Sequence, residues 1–166
     1  MTSRYHILFQ PIKIGPVTAP NRFYQVPHCN GFGHRMPQGM AAMRGMKAEG
    51  GWGVVSTQET EIHATSDLTP SNQARLWDAQ DIPALRLVTD AVHEHGALAA
   101  IELMFNGYAT PNRYSREIPI APSHLPVRGS DPIQARSATK RDLADVRRWH
   151  RSAALRARDA GFDLVY

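Results

Sequence analysis

The chain has 166 residues, 42% of them hydrophobic, a formal net charge of +4 and one cysteine. That is one domain's length with enough apolar residues for a core. No run approaches the roughly eighteen apolar residues of a membrane span, and a lone thiol excludes an internal disulfide framework.

The opening stretch "MTSRYHILFQPIKIG" has too short an apolar patch for a signal peptide, and no small-residue cleavage site comes after it. With the single thiol, this predicts a reducing, cytoplasmic setting. Residues 12–23 then read as a short hairpin. Residues 23–27 read as a first strand, which runs into Pro27, His28 and Cys29 and then "NGFG". The next element is a helix over Pro37–Glu49, with methionines at 40, 43 and 46 at a spacing that reads as core packing. A second strand is expected over Gly53–Thr57. In "DIPALRLVTDAVHEHG", Asp81 suits an N-cap and Pro83 the first turn, while Leu85, Val88, Ala91 and Val92 form a helical stripe. A third strand over Ala97–Leu103 leads to a long loop, Met104–Ala138. Thr139 with Asp142 forms a capping box for a third helix. Leu143, Val146, His150, Ala153 and Ala157 are its apolar face. A last strand covers Asp163–Tyr166.

Three times a helix passes through glycine into a short apolar strand. Gly50, Gly96 and Gly161 sit where left-handed C-caps are expected. Helices feeding apolar strands indicate a parallel α/β sheet, either doubly wound or a (β/α)8 TIM barrel. No G-x-G-x-x-G joins a strand to a helix, which weighs against a dinucleotide-binding Rossmann fold. The last residues, "DLVY", lie inside an apolar strand. If the sheet is a barrel, the chain is its N-terminal half, about four βα units after a hairpin, with residues 1–166 forming one incomplete domain and two open sheet edges.

The positive charge is local. Residues 136–160 hold eight Lys and Arg against three acids. Such a segment suits nucleic acid or a solvated helix face. No aromatic residues interleave the charges on that face and no nucleic-acid motif is present, so the solvated face is the reading. Neither nucleic acid nor a membrane is expected as a partner.

In βα folds chemistry gathers at the C-terminal strand ends. The strand ends here carry Cys29, then Gln58 and Glu59, then Glu102, so Cys29, Glu59 and Glu102 converge on one rim. Each has a plainer alternative: Cys29 as a buried small hydrophobe, Glu59 as a surface neighbour of Glu61, Glu102 as a rim salt bridge, His28 as a hydrogen-bonding structural histidine. His93 and His95, two apart on a helix, face different ways, and no metal site is expected.

"ILFQPIKIGPVTAPNRF" resembles the N-terminal hairpin of the old yellow enzyme family of FMN-binding (β/α)8 barrels. "NRFYQVPHC", "KAEGGW", "EIHATSD", "VHEHGALAAIEL", "PNRYSRE" and "RDAGFDLVY" together resemble its trimethylamine, dimethylamine and histamine dehydrogenase branch. The resemblance implies a covalent bond from Cys29 to carbon 6 of FMN. It implies backbone contacts to the flavin from Pro27 and His28, a flavin-side role for Gln58, and Glu102 at the flavin's pyrimidine edge. It implies oxidation of a small amine by hydride transfer, with electrons leaving to an electron-transfer flavoprotein from a homodimeric full-length enzyme. A [4Fe-4S] cluster, ADP and the catalytic tyrosine and histidine belong to positions after Tyr166, so no catalytic residue is expected here and the fragment alone is expected to be inactive.

Where trimethylamine dehydrogenases carry an aromatic-cage tyrosine, this chain has Glu59. A carboxylate there suits an amine with N–H donors, whether secondary, primary or imidazole-bearing. The alternatives are an NAD(P)H-dependent ene-reductase or NADH:flavin oxidoreductase with non-covalent FMN, and a non-catalytic basic interaction module.

Overall fold

The computed structural model describes residues 4–130 and 132–166. The first three residues of the opening stretch, and Asp131 in the predicted long loop, lie outside the described residues. An antiparallel hairpin joins β1 (Ile12–Ile14) to β2 (Val17–Ala19), with Ile12 opposite Ala19. Then come β3 (Tyr24–Gln25), α1 (Pro37–Glu49), β4 (Val54–Glu61), β5 (Ala74–Arg75), α2 (Ile82–His93) and β6 (Leu98–Met104). After these come β7 (Ile120–Ala121), β8 (Leu125–Pro126), β9 (Gln134–Ser137), α3 (Lys140–Ala160) and β10 (Leu164–Val165).

The main sheet runs β3-β4-β6-β10, all parallel, with β5 beside the far end of β4. A doubly wound sheet reverses its strand order and carries helices on both faces. This sheet does neither. Its strands keep chain order, and α1, α2 and α3 all cover one face. Met40 and Ala48 of α1, Leu85 and Val92 of α2, and Ala157 and Ala160 of α3 bury Val55, Ala99 and Ile101 there. On the opposite face Val54 and Ala100 meet Ala19, flanked by Ile12, Ile14, Leu98 and Leu164. The hairpin thus closes the N-terminal end of a barrel interior. The chain forms the predicted consecutive βα units of a (β/α)8 barrel.

Local expectations fare unevenly. Helix α1 has the predicted bounds, and Thr139 and Asp142 form the capping box of α3, which ends in a left-handed Gly161 (φ 99°). Gly50 is not left-handed: its φ is −69° and the neighbouring Gly51 takes +94°. Asp81 occupies the N-cap position of α2 but makes no cap there. Its carboxylate turns back to accept from Trp77 N at 2.8 Å and to pair with Arg75 at 2.9 Å. Strand β3 is shorter than predicted, since Pro27 has no N–H for a ladder. Of the methionine stripe Met40 is buried, but Met46 is 62% exposed; Leu143 on α3 is also exposed. The predicted long loop holds a small sheet, with β9 parallel to β7 and antiparallel to β8.

The basic segment is partly used within the molecule. Arg136 pairs with Asp142, Arg148 with Asp145, and Arg158 with Asp159, while Arg156 donates to Leu76 O at 2.8 and 3.1 Å. No described helix is long and apolar enough to cross a membrane.

Candidate functional site

Strands β4 and β6 keep one register from Val54 opposite Leu98 to Ser56 opposite Ala100. Then β4 gains a residue, so that Glu59 stands opposite Glu102. Alternation without this irregularity would turn Gln58 to the barrel interior with Val54 and Ser56, and Glu59 to the helices. The extra residue reverses both, as bulges near sites do. The Thr57 hydroxyl accepts from the Glu102 N–H at 3.2 Å across the slip. Glu59 and Glu102 therefore face one pocket, and Gln58 goes to the opposite side.

That pocket has a volume of about 390 Å³ and is lined by Val26, Pro27, His28, Cys29, Glu59, Gln73, Glu102 and Tyr166. It falls within the size range of small-molecule clefts. The structure brings together five of the six predicted site residues. Gln58 is the exception. It is fully buried and its Oε1 accepts from Arg44 at 3.2 Å, so it supports the pocket instead of lining it. Cys29 is exposed, which removes the buried-hydrophobe reading. Glu61 is not a surface neighbour of Glu59 but is buried. A more apolar cleft of about 440 Å³, between Phe105, Tyr108, Ile120 and Val146, contains none of the predicted site residues.

Arg44, which sequence reasoning missed, organises the pocket floor. It is fully buried. Its guanidinium donates to Gln25 Oε1 at 2.9 Å, to Gln58 Oε1, and to the backbone carbonyl of His28. Burial lowers its pKa to about 10, against an opposing pull from Cys29. Only neutral oxygens accept from it among the described residues. The sequence signal was available: Arg44 lies four residues from both Met40 and Ala48 and so shares the buried face of α1. Gln73 was also missed. It precedes β5 in a loop with no periodicity to mark it, and its Nε2 donates to Cys29 Sγ at 3.1 Å.

The electrostatics of the pocket are acidic. Burial, and then the charge of Glu59, raise the pKa of Glu102. A carboxyl of this kind both accepts from ring N–H groups and, when protonated, donates to a ring carbonyl. Two carboxyl groups face one opening with no Lys or Arg among its lining residues, an arrangement that favours a positively charged guest. No group of three or more His, Cys, Asp or Glu among the described residues is placed to hold a metal.

Known proteins are similar to this chain in sequence and fold. The model for the NADH:flavin oxidoreductase / NADH oxidase family matches residues 7–166. Dimethylamine dehydrogenase of Hyphomicrobium sp. (strain x) is 45% identical over 168 residues, covering 98% of this chain and 23% of that protein. The structure of histamine dehydrogenase from Rhizobium sp. 4-9 superposes with a TM-score of 0.96 at 54% identity, over 99% of this chain and 26% of that one. The 6-hydroxypseudooxynicotine amine oxidase of Pseudomonas geniculata N1 gives 0.95 at 49%, over 98% and 24%. The chain thus spans about a quarter of the length of each relative. On the full extent of the family match, this chain belongs to the NADH:flavin oxidoreductase / NADH oxidase family.

Proposed function

We propose that this chain is the N-terminal part of an FMN-dependent amine dehydrogenase whose flavin is tethered through Cys29. The observation that carries the reading is the exposed Cys29 thiol in one pocket with the Glu59–Glu102 carboxylate pair. The bound flavin supplies an acceptor for a hydride from the carbon next to nitrogen. This chain's own residues position that flavin, bind the amine and hold a proton beside the ring. Arg44 fixes the His28 carbonyl, and with it the path of the backbone into Cys29. Pro27 and His28 wall the pocket and present backbone groups to the ring. Glu102, with its raised pKa, holds or releases a proton at the ring's polar edge. Glu59 binds the substrate ammonium by charge and hydrogen bonding, which selects an amine with N–H donors. Cys29 would hold the flavin by a bond from Sγ to a ring carbon, made with loss of the thiol proton and the hydrogen of that carbon, with dioxygen as the two-electron acceptor that the attachment would need.

In this reading the complete protein is a cytoplasmic homodimer, and an electron-transfer flavoprotein takes its electrons. The names of the three relatives support an amine as substrate. The test is acid precipitation of the complete protein followed by intact mass. The expected result is yellow colour in the pellet and the mass of one added FMN, both lost in Cys29→Ala. Colour that washes free from a folded protein, together with NADPH-driven reduction of an enone, would transfer the reading to a non-covalent ene-reductase.

A further inference from the structure

We infer that Thr57 is the positioning residue for the carboxyl pair: its hydroxyl pins the inserted residue of β4 and so keeps Glu59 and Glu102 turned into one pocket. The inference rests on the amine reading above, which gives that pair its use. The register of β4 on β6 is regular up to Ser56 opposite Ala100, and regular again from Glu59 opposite Glu102 to Glu61 opposite Met104. The irregular stretch of β4 is therefore Thr57 and Gln58 alone, and both are fully buried. A slip of one residue there would exchange the facing of Gln58 and Glu59.

Two hydroxyls close the gap. Thr57 Oγ1 accepts from Glu102 N at 3.2 Å, and Thr60 Oγ1 donates to the Gln58 carbonyl at 3.2 Å. The two hydroxyl oxygens lie 3.4 Å apart, the longest link of the three. The Thr60 proton goes to the Gln58 carbonyl, so Thr57 is the donor between the threonines. One directed chain then runs from Glu102 N through Thr57 and Thr60 to Gln58 O, in which each hydroxyl accepts once and donates once. Thr60 is fully buried as well. A buried hydroxyl costs desolvation that valine, similar in shape and equally suited to a strand, does not. What the hydroxyls add is this set of bonds across the irregularity.

The chain acts on both carboxyl groups at once. On β6 it fixes the backbone of Glu102 itself. On β4 it fixes Gln58, whose side chain is held on the opposite side by Arg44, a donor to its Oε1 at 3.2 Å. With residue 58 anchored at both its backbone and its side chain, alternation turns Glu59 to the pocket. Neither threonine lines that pocket, so Thr57 acts through the two acids and not on the guest.

The test uses the complete enzyme, with amide hydrogen exchange read by mass and amine kinetics as separate measurements. Thr57→Val should speed exchange at the Glu102 amide about five-fold, the effect of one modest hydrogen bond. It should also raise KM for the amine about five-fold, with a smaller change in kcat. Thr57→Ser, which keeps the hydroxyl, should restore both. Thr60→Val breaks only the later links and should shift both the same way by less, so it carries the test if Thr57→Val does not fold. Thr57→Val should add little to the KM of Glu59→Gln, because the two changes remove one interaction. A packing role would instead speed exchange at Val54, Val55 and Ser56 too, and would add fully to Glu59→Gln. Parent-like exchange and KM in Thr57→Val, or a Thr57→Ser protein as impaired as Thr57→Val, would overturn the role of Thr57. If Glu59→Gln itself leaves KM unchanged while Thr57→Val speeds exchange at Glu102, the amine reading fails and the pinned register stands.

Discussion

Strands β4 and β6 carry opposite chemistry at their two ends. At their N-terminal ends Val54, Val55, Ala99, Ala100 and Ile101 are buried against the hairpin on one face and the helices on the other. Within six residues the same strands bear Gln58, Glu59 and Glu61 on β4 and Glu102 on β6. The first region is held by apolar area and tolerates little change of volume. The second is held by a buried guanidinium and leaves polar atoms unmatched: Arg44 Nε, Gln58 Nε2 and Gln73 Oε1 have no partners among the described residues. Apolar packing concentrates at one end of the strands and unmatched polar atoms at the other, and of those three residues Gln73 lines the pocket that a ligand would enter.

The largest expected effects come from one substitution at each end. Ile101→Ala should lower the stability of the complete protein by about 2–5 kcal/mol, while folded molecules keep flavin on Cys29. Arg44→Met keeps much of the volume but strips the donors from Gln25, Gln58 and the His28 carbonyl. The expected loss is about 3 kcal/mol, with a fall in the flavin-bearing fraction. Urea midpoints and peptide mass measure both. An Arg44→Met protein with unchanged flavin loading would break the distinction between the two ends.

A pH effect sharpens it. Glu61, 3% exposed, accepts from Leu68 N at 2.9 Å, and burial raises its pKa from 4.5 to about 7. Between those values the folded protein keeps a proton that the unfolded chain releases. Stability from this group is therefore full below about pH 4.5, falls as pH rises to about 7, and is level above. The span is on the order of 3 kcal/mol. Glu61→Gln, which resembles the protonated form, should flatten the dependence and raise stability at pH 8. Denaturation midpoints at pH 5 and pH 8 decide it; parallel curves for the two proteins would show that Glu61 does not titrate in this range.

The substrate side predicts a smaller change. In the complete enzyme Glu59→Gln should raise KM for the amine about ten-fold, with kcat little altered, as expected for loss of a binding charge. An unchanged KM would remove Glu59 from the ammonium site.

The helices and their order were readable because each has a periodic apolar face and a chemical stop. Pro37 begins α1, the Thr139–Asp142 box begins α3, and Gly161 ends it. The barrel rather than a doubly wound sheet was readable only by elimination and resemblance, since both repeat βα units. The pocket was readable at Cys29, Glu59 and Glu102, which stand out as polar residues at strand ends. Gln58 was misplaced because one inserted residue in β4 reverses the facing of everything after it, and no residue type announces that slip. Arg44 was overlooked although its helical phase gives it away. Gln73 could not have been found: it reaches Cys29 across 44 positions through a loop clamp that only the folded chain shows.

The smallest predicted effect lies away from both strand ends and serves as their control. Thr139 Oγ1 accepts from Asp142 N at 3.2 Å, and Asp142 Oδ2 accepts from Thr139 N at 2.7 Å. Arg136 meets the same carboxylate at 2.6 and 2.7 Å, and this contact, ahead of those from Thr139, holds the Asp142 carboxyl well below the usual range. Thr139→Ala removes one half of the cap and should cost about 1 kcal/mol. Neither residue lines the Cys29 pocket. Flavin loading should therefore stay unchanged while the urea midpoint falls. A change in flavin loading from so remote a cap would mean that general loosening reaches the pocket. The loss expected at Arg44 would then have to be compared with an equally destabilised protein before being assigned to its hydrogen bonds.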